Sequence, residues 1–306
     1  MGHQHQHGNS NNLGWAFAIN LGFAILEVIG GALTNSVAIM SDALHDLGDS
    51  LSLGLAWVLG RYAERDGTQR FTYGFRRLSL LGALINSIVL VVGSIYILTE
   101  AIPRLLNPQT VEAPGMLLLA IIGIAINGLA AWRLKGDKTT NARVVALHLL
   151  EDVLGWVAVL VVSIVLFFFD VPILDPLLSV GITLYILYNV WQRLGDTVSL
   201  FLQASPAEVD VSDIDDKLRS IAGVQSVHHT HIWSLDGEHN VLTTHLVVDE
   251  ATDRQQRDDI RQQVMHVVEG MVLEHITVQL EYGPDDCWMV GQTESEKAHQ
   301  QQPEPH

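Results

Sequence analysis

The sequence predicts an α-helical membrane protein, six spanning helices followed by a small α+β domain. Three observations carry that prediction. Six apolar segments of spanning length run through the first two thirds of the chain. The mean hydropathy is positive, at +0.26. The acidic excess is confined to the C-terminal third: residues 206–306 hold 20 Asp and Glu against 6 Lys and Arg, a balance of −14 within a whole-chain charge of −17. A lipid-embedded region followed by a strongly charged one marks a domain boundary read from charge.

The segments fall near 13–33, 37–60, 78–102, 114–134, 142–169 and 172–193. Each is long enough to cross a hydrocarbon core of ~30 Å, which takes ~20 helical residues. The connecting loops alternate in charge. Residues 61–77 carry Arg61, Arg65, Arg70, Arg76 and Arg77, and 133–143 carry Arg133, Lys135, Lys138 and Arg143. The opposite loops hold only Arg104. Basic loops stay on the cytoplasmic side, so both termini are expected in the cytoplasm. The N-terminus has no basic region or cleavage site before its apolar run, and the first segment is expected to be retained. One cysteine, Cys287, excludes an intramolecular disulfide framework.

The expected domains are a His-containing tail at 1–12, a transmembrane domain at 13–205, an α+β domain at 206–285 and an unstructured tail at 286–306. Within the α+β domain, DVSDIDDKLRSIAG has helical spacing, with Gly223 as its stop. VQSVHHTHIWSL and NVLTTHLVVD alternate as strands around LDGEH. A second helix is capped by Thr252 or Asp253, and HITVQLEY forms a third strand. The order αββαβ leads us to expect an antiparallel sheet with helices on one face. Strand alternation would put His229 and His231 on one face and His228 on the other.

The chemistry is concentrated where it is least expected. SDALHDLGDS, at 41–50, sits inside the second apolar segment. At 100° per residue, Asp42, His45, Asp46 and Asp49 fall within a sector of roughly 100°. Such a stripe cannot face lipid and must line a protein interior or a water-filled cavity. The fifth segment repeats the pattern in VVALHLLEDVLG, with His148, Glu151 and Asp152 on one face and Gly155 below them. Both helices contain His-x-x-x-Asp, at 45/49 and 148/152. Positions i and i+4 are neighbours on a helix. Two facing helices would then offer two imidazoles and two carboxylates, a set suited to tetrahedral Zn²⁺. An interhelical hydrogen-bond network explains one stripe, but two with identical spacing favour a metal. Haem held between His45 and His148 would leave the paired aspartates without a role. Asn20, Glu27, Asn86 and Asn127 are candidates for the same cavity or for contacts between helices.

These residues resemble the signatures of the cation diffusion facilitator family, in its bacterial zinc/cadmium efflux branch. SDALHDLGDS, LHLLEDVLG, YGFRRLSLLGALIN, DPLLSVGITL and SVHHTHIWSL carry the resemblance, which covers roughly residues 13–287. It implies six membrane helices and a cytoplasmic ferredoxin-like domain, assembled as a homodimer in the bacterial inner membrane. It also implies export of a divalent metal, Zn²⁺ or Cd²⁺, in exchange for protons. Carried over by position, the transport ligands are His45, Asp49, His148 and Asp152, and His45 favours zinc. Asp42, Asp46 and Glu151 then line the cavity around them. A cytoplasmic metal site, with zinc in a regulatory role, would use His228, His245, Glu281 and Cys287.

The chain departs from the family in carrying Ser79 rather than a glutamate at the third helix, no His-rich loop before the fifth, and no histidine in RDGTQRFTYG. His3, His5 and His7 would serve as a metal antenna or as an inert tail, the latter favoured. A membrane-anchored metal sensor is the other reading, but no kinase, phosphatase or DNA-binding output module is present. No Walker motif appears, so the resemblance implies a secondary transporter without nucleotide or nucleic-acid partners, rather than an enzyme.

Overall fold

A computed structural model describes residues 7–63, 65, 67–134, 140–283 and 286–287. The order is α1 (His7–Thr34), α2 (Val37–Ala63), α3 (Leu78–Leu106), α4 (Ala113–Leu134), α5 (Thr140–Phe168), α6 (Leu174–Phe201), α7 (Val211–Arg219), β1 (Val224–Ser234), β2 (Asn240–Val248), α8 (Arg254–Val267) and β3 (Leu273–Glu281). The chain divides into two compact units, up to Val198 and from Ser199 onward. His3 and His5, Lys135 and Lys138, and the tail from 288 lie outside the described residues, as do the side chains of His7 and Arg143.

All six apolar segments are helices. α1 begins at His7, six residues before the expected start, and α6 continues past 193 to Phe201. Five of the six are long and apolar enough to cross a membrane. The sixth, α2, carries Asp42, His45, Asp46 and Asp49, which lower its hydropathy. Large apolar side chains point outward, among them Leu33, Leu106, Trp132 and Trp191, as expected where lipid rather than water is the solvent.

Helix packing depends on small residues. A Cβ at Gly48 would strike Leu90, and one at Gly93 would strike Leu44, so α2 and α3 interlock a leucine of each into a glycine notch of the other. A Cβ at Gly123 would strike the indole of Trp156, the buried centre of a cluster with Ile39, Met116, Ala120 and Val159. Close backbone approach of this kind substitutes for the hydrophobic effect, which is absent between helices in lipid.

Asp175, at the start of α6, caps α2 from a neighbouring helix. Its carboxylate accepts from Ser36 Oγ at 2.5 Å, Val37 N at 2.8 Å and Ala38 N at 3.3 Å. This satisfies N–H groups that a helix N-terminus leaves without partners, in a place where water cannot. One turn further, Ser41 Oγ lies 2.6 Å from Ser179 Oγ and 3.2 Å from Thr183 Oγ1.

The C-terminal unit has a three-stranded sheet in the order β1-β2-β3. Asp210 caps α7, and Asp253 forms a capping box with Gln256 at α8, fixing the cap at Asp253 rather than Thr252. Gly223 takes φ +95° between α7 and β1. The core comprises Ile214, Leu218, Val227, Ile232, Leu242, Leu246, Ile260 and Val264.

Two expectations are corrected. β1 and β2 are antiparallel, but β2 and β3 are parallel. The helix α8 returns the chain to the end from which β2 started, and a strand–helix–strand connection within one sheet makes its strands parallel. Nor does β1 alternate simply. A bulge lies between His228 and His231, and His229 takes φ +52° inside it. The extra residue puts the buried Val227 and Ile232 on one side despite their odd spacing. His228 and His229 therefore sit together, with ring centroids 5.1 Å apart, while His231 is exposed.

Candidate metal centres

α2 and α5 bring the two His-x-x-x-Asp pairs to one point. His148 Nε2 lies 2.8 Å from Asp49 Oδ2, a contact from one helix to the other. His45 Nε2 lies 3.6 Å from the same oxygen and 3.8 Å from Asp152 Oδ1. The two imidazole centroids are 5.8 Å apart. Donor atoms of His45, Asp49 and His148 all fall within 4.8 Å of one another, and Asp152 joins them through His45. A tetrahedral ion with bonds near ~2.1 Å holds its donors roughly 3.4 Å apart, a spacing that the 2.8, 3.6 and 3.8 Å contacts bracket. Asp152 Oδ1 is inaccessible and has no hydrogen-bond partner, and Asp49 Oδ2 has no partner beyond the imidazoles. Carboxylate oxygens left this way at membrane depth fit a cation.

The surrounding polar groups separate into distinct positions. Asp42 and Asp46 are buried on the same face of α2. Gly155 of α5 packs against Asp42, with a Cβ there reaching 3.4 Å from Oδ1. Asn20 of α1 donates to the carbonyl of Asp46 at 3.2 Å and to Ser50 Oγ at 3.1 Å, holding α1 on the polar stripe. Glu151 points elsewhere: its carboxylate accepts from the Tyr185 hydroxyl of α6 at 2.5 Å. Asn86 and Asn127 are buried, and Glu27 is fully so. The sequence put these three among several candidates without ranking them. Asp175 was not singled out, although the DP pair opening a helix is a cap signal.

A second cluster lies in the C-terminal unit. Glu281, at 2% exposure, bridges two imidazoles: Oε1 is 2.7 Å from His245 Nδ1, and Oε2 is 3.0 Å from His228 Nε2. Gln279 also donates to Oε1, at 3.2 Å. Cys287 is buried at 3% exposure, and the donors of His228, His245, Glu281 and Cys287 lie within 4.8 Å of one another. The register His228↔His245 places the imidazoles opposite each other, and β3 places Glu281 beside them. Asp286 accepts from Tyr282 N at 2.8 Å, so Asp286 and Cys287, expected in an unstructured tail, are held against the strand end. The Oε2 of Glu281 and Nε2 of His228 face only each other among the described residues, and two imidazoles, a carboxylate and a thiol fit a thiophilic divalent ion. His229 packs its ring against both imidazoles, 5.1 Å from His228 and 5.2 Å from His245, whereas His239 pairs with Asp236 at 2.8 Å and His266 with Glu269 at 3.2 Å.

The cation efflux transmembrane domain family matches residues 14–202, and the family described as cation efflux protein, cytoplasmic domain, matches 206–282. The chain belongs to the cation diffusion facilitator family. It is 36% identical over 286 residues to the cadmium, cobalt and zinc/H(+)-K(+) antiporter of Bacillus subtilis, covering 92% of each chain. It is 35% identical to the zinc transporter ZitB of Escherichia coli over 303 residues, 94% of this chain and 96% of that one. The metal cation efflux system protein CzcD of Cupriavidus metallidurans is 32% identical over 289 residues, 92% and 90% of the two chains. The facilitator is thus a multi-pass membrane protein and a secondary transporter rather than an enzyme, and efflux is favoured over a sensor without transport.

Proposed function

We propose that this facilitator exports Zn²⁺, with Cd²⁺ as a second cargo, from the cytoplasm of a bacterium in exchange for protons. The observation that supports the reading most strongly is the convergence of His45, Asp49, His148 and Asp152 from two facing helices, within the membrane-spanning unit. Two carboxylates neutralise the charge of a divalent ion, and two imidazoles add the nitrogen donors that zinc prefers over harder ions. Metal binding requires neutral imidazole and ionised carboxylate, so loading the site expels protons. An imidazole binds metal only in its neutral form and otherwise holds a proton, which lets His45 and His148 serve both selectivity and exchange. Metal enters from the cytoplasm, leaves outward as the helices rock, and protons reload the donors from outside.

The arginine-rich loops support an inner-membrane orientation with both termini in the cytoplasm. The match to the cytoplasmic domain of the family supports assembly as a homodimer. In that domain, His228, His245, Glu281 and Cys287 would hold a regulatory zinc, which supplies a cross-link between β1, β2, β3 and the segment after β3. Asp42, Asp46 and Glu151 carry no metal in this reading; the first two line the cavity, and the third ties α5 to α6.

Zinc flux into proteoliposomes tests the transport site. Wild type is expected to move zinc and Asp49→Ala to be dead. Equal flux in the two would refute the assignment.

A further inference from the structure

The metal donors leave one buried acid unexplained. Glu27, on α1, has no solvent exposure, and among the described residues its carboxyl has no hydrogen-bonding neighbour except the Asp46 carboxyl of α2. Its carboxyl faces those of Asp46 and Asp42 on α2, with Asp152 of α5 further off. α4, also packed on α1, brings no ionisable group except Arg133 near its far end. Among the described residues no Lys or Arg pairs with Glu27, Asp42 or Asp46. With the metal donors empty, an ionised Glu27 beside Asp42 and Asp46 is costly at this depth unless a small cation sits on it.

The depth of Glu27 says which side serves it. It lies seven residues before the end of α1 at Thr34, about 10 Å along the axis. His45 and Asp49 lie eight and twelve residues inside the start of α2 at Val37, about 12 and 18 Å along theirs. In the proposed orientation that end faces outward, so Glu27 stands at about the depth of His45 and outside Asp49 among the metal donors. It is not itself one of them.

We propose that Glu27 carries a proton that returns across the membrane in exchange for the exported metal, at a position separate from the metal donors. The proposal rests on the exchange reading above. With the metal donors empty, the Glu27 carboxylate takes a proton from the outer solution, forming an O–H bond that faces Asp46. Arrival of a divalent cation at His45, Asp49, His148 and Asp152 raises the local positive charge. The O–H bond then breaks, and the proton passes to water on the cytoplasmic side.

The test is the proton-to-zinc ratio in proteoliposomes, read with an internal pH dye and a zinc dye together, for wild type and Glu27→Gln. Glutamine keeps the volume of the side chain and removes the exchangeable proton. The expected result is a ratio lower by about one proton per zinc, with the zinc concentration for half-maximal flux unchanged. An unchanged ratio overturns the proposal, as does a ratio that shifts with potassium and not with pH. If Glu27→Gln does not transport, protons released on zinc binding to the monodisperse full-length protein in detergent decide the matter. About one fewer than wild type supports the proposal, and an equal number overturns it. A wild type that moves zinc without protons overturns the exchange reading itself, which is distinct from an unchanged ratio in a coupled protein.

Discussion

Replacing Asp49 by asparagine keeps the shape of the side chain and removes one negative charge where the donors converge. Oδ2 of Asp49 is 2.8 Å from His148 Nε2 and 3.6 Å from His45 Nε2, so a single substitution touches both imidazoles. Four-ligand zinc sites reach about 10–16 kcal/mol of apparent binding free energy, or about 2.5–4 kcal/mol per ligand. At about 1.4 kcal/mol per decade, losing one ligand costs about two to three decades of affinity. Asparagine retains a neutral oxygen, which places Asp49→Asn at the lower end, a loss of about a hundredfold. The assay is competition with a chromophoric chelator at neutral pH, in detergent, on protein also carrying His245→Ala and Cys287→Ser so that the C-terminal cluster does not contribute. Glu151→Gln is the control, because its carboxylate is engaged by Tyr185 rather than by the donors. Equal zinc affinity in Asp49→Asn and wild type would refute the assignment of Asp49 as a ligand.

Three further outcomes follow from the packing and electrostatics. Gly123→Ala drives a methyl into the Trp156 ring, which is buried and rigid, and is expected to cost about 1–3 kcal/mol, read as a lower melting temperature in detergent. Asp175→Asn weakens the carboxylate's hold on Ser36, Val37 and Ala38, a loss of about 1–2 kcal/mol that would appear as faster amide exchange in the first turn of α2. In the β1–β2 turn, burial raises the Asp236 carboxyl, but the N–H groups of His239 and Glu238 and the His239 imidazole outweigh it and hold its pKa below the ordinary value. A depressed carboxylate gives stability that is complete above its unfolded-state pKa and is lost as pH falls through the folded value. Asp236→Asn should therefore speed amide exchange in 234–240 at neutral pH, by about 1 kcal/mol of local stability. That difference from wild type should vanish in acid.

The parts of the fold that depend on local periodicity were legible. A helix that must cross lipid declares itself by apolar length, and a polar stripe within it stands out because no lipid-facing surface tolerates it. The repeated His-x-x-x-Asp spacing made the facing of α2 and α5 readable before any geometry. The direction of β3 was also readable in principle, since a helix lies between β2 and β3 and such a connection favours parallel strands. The bulge at His229 was not, because the count of residues between two hydrogen-bonded pairs is set by the partner strand. For the same reason the grouping of His228 with His229 emerged only from the folded sheet. Glu27 was visible as an acid in an apolar helix, but its full burial beside Asp46 depends on how α1 packs on α2. The Asp175 cap joins residues about 140 positions apart, and no local pattern ties them together.

The most direct test of the exchange mechanism is zinc uptake into proteoliposomes under an imposed pH gradient, with zinc and internal pH followed together. The wild-type facilitator should drive zinc uphill only when protons run the opposite way, with proton movement beginning and ending with zinc addition and chelation. Zinc movement indifferent to the pH gradient, or zinc binding without any flux, would contradict it.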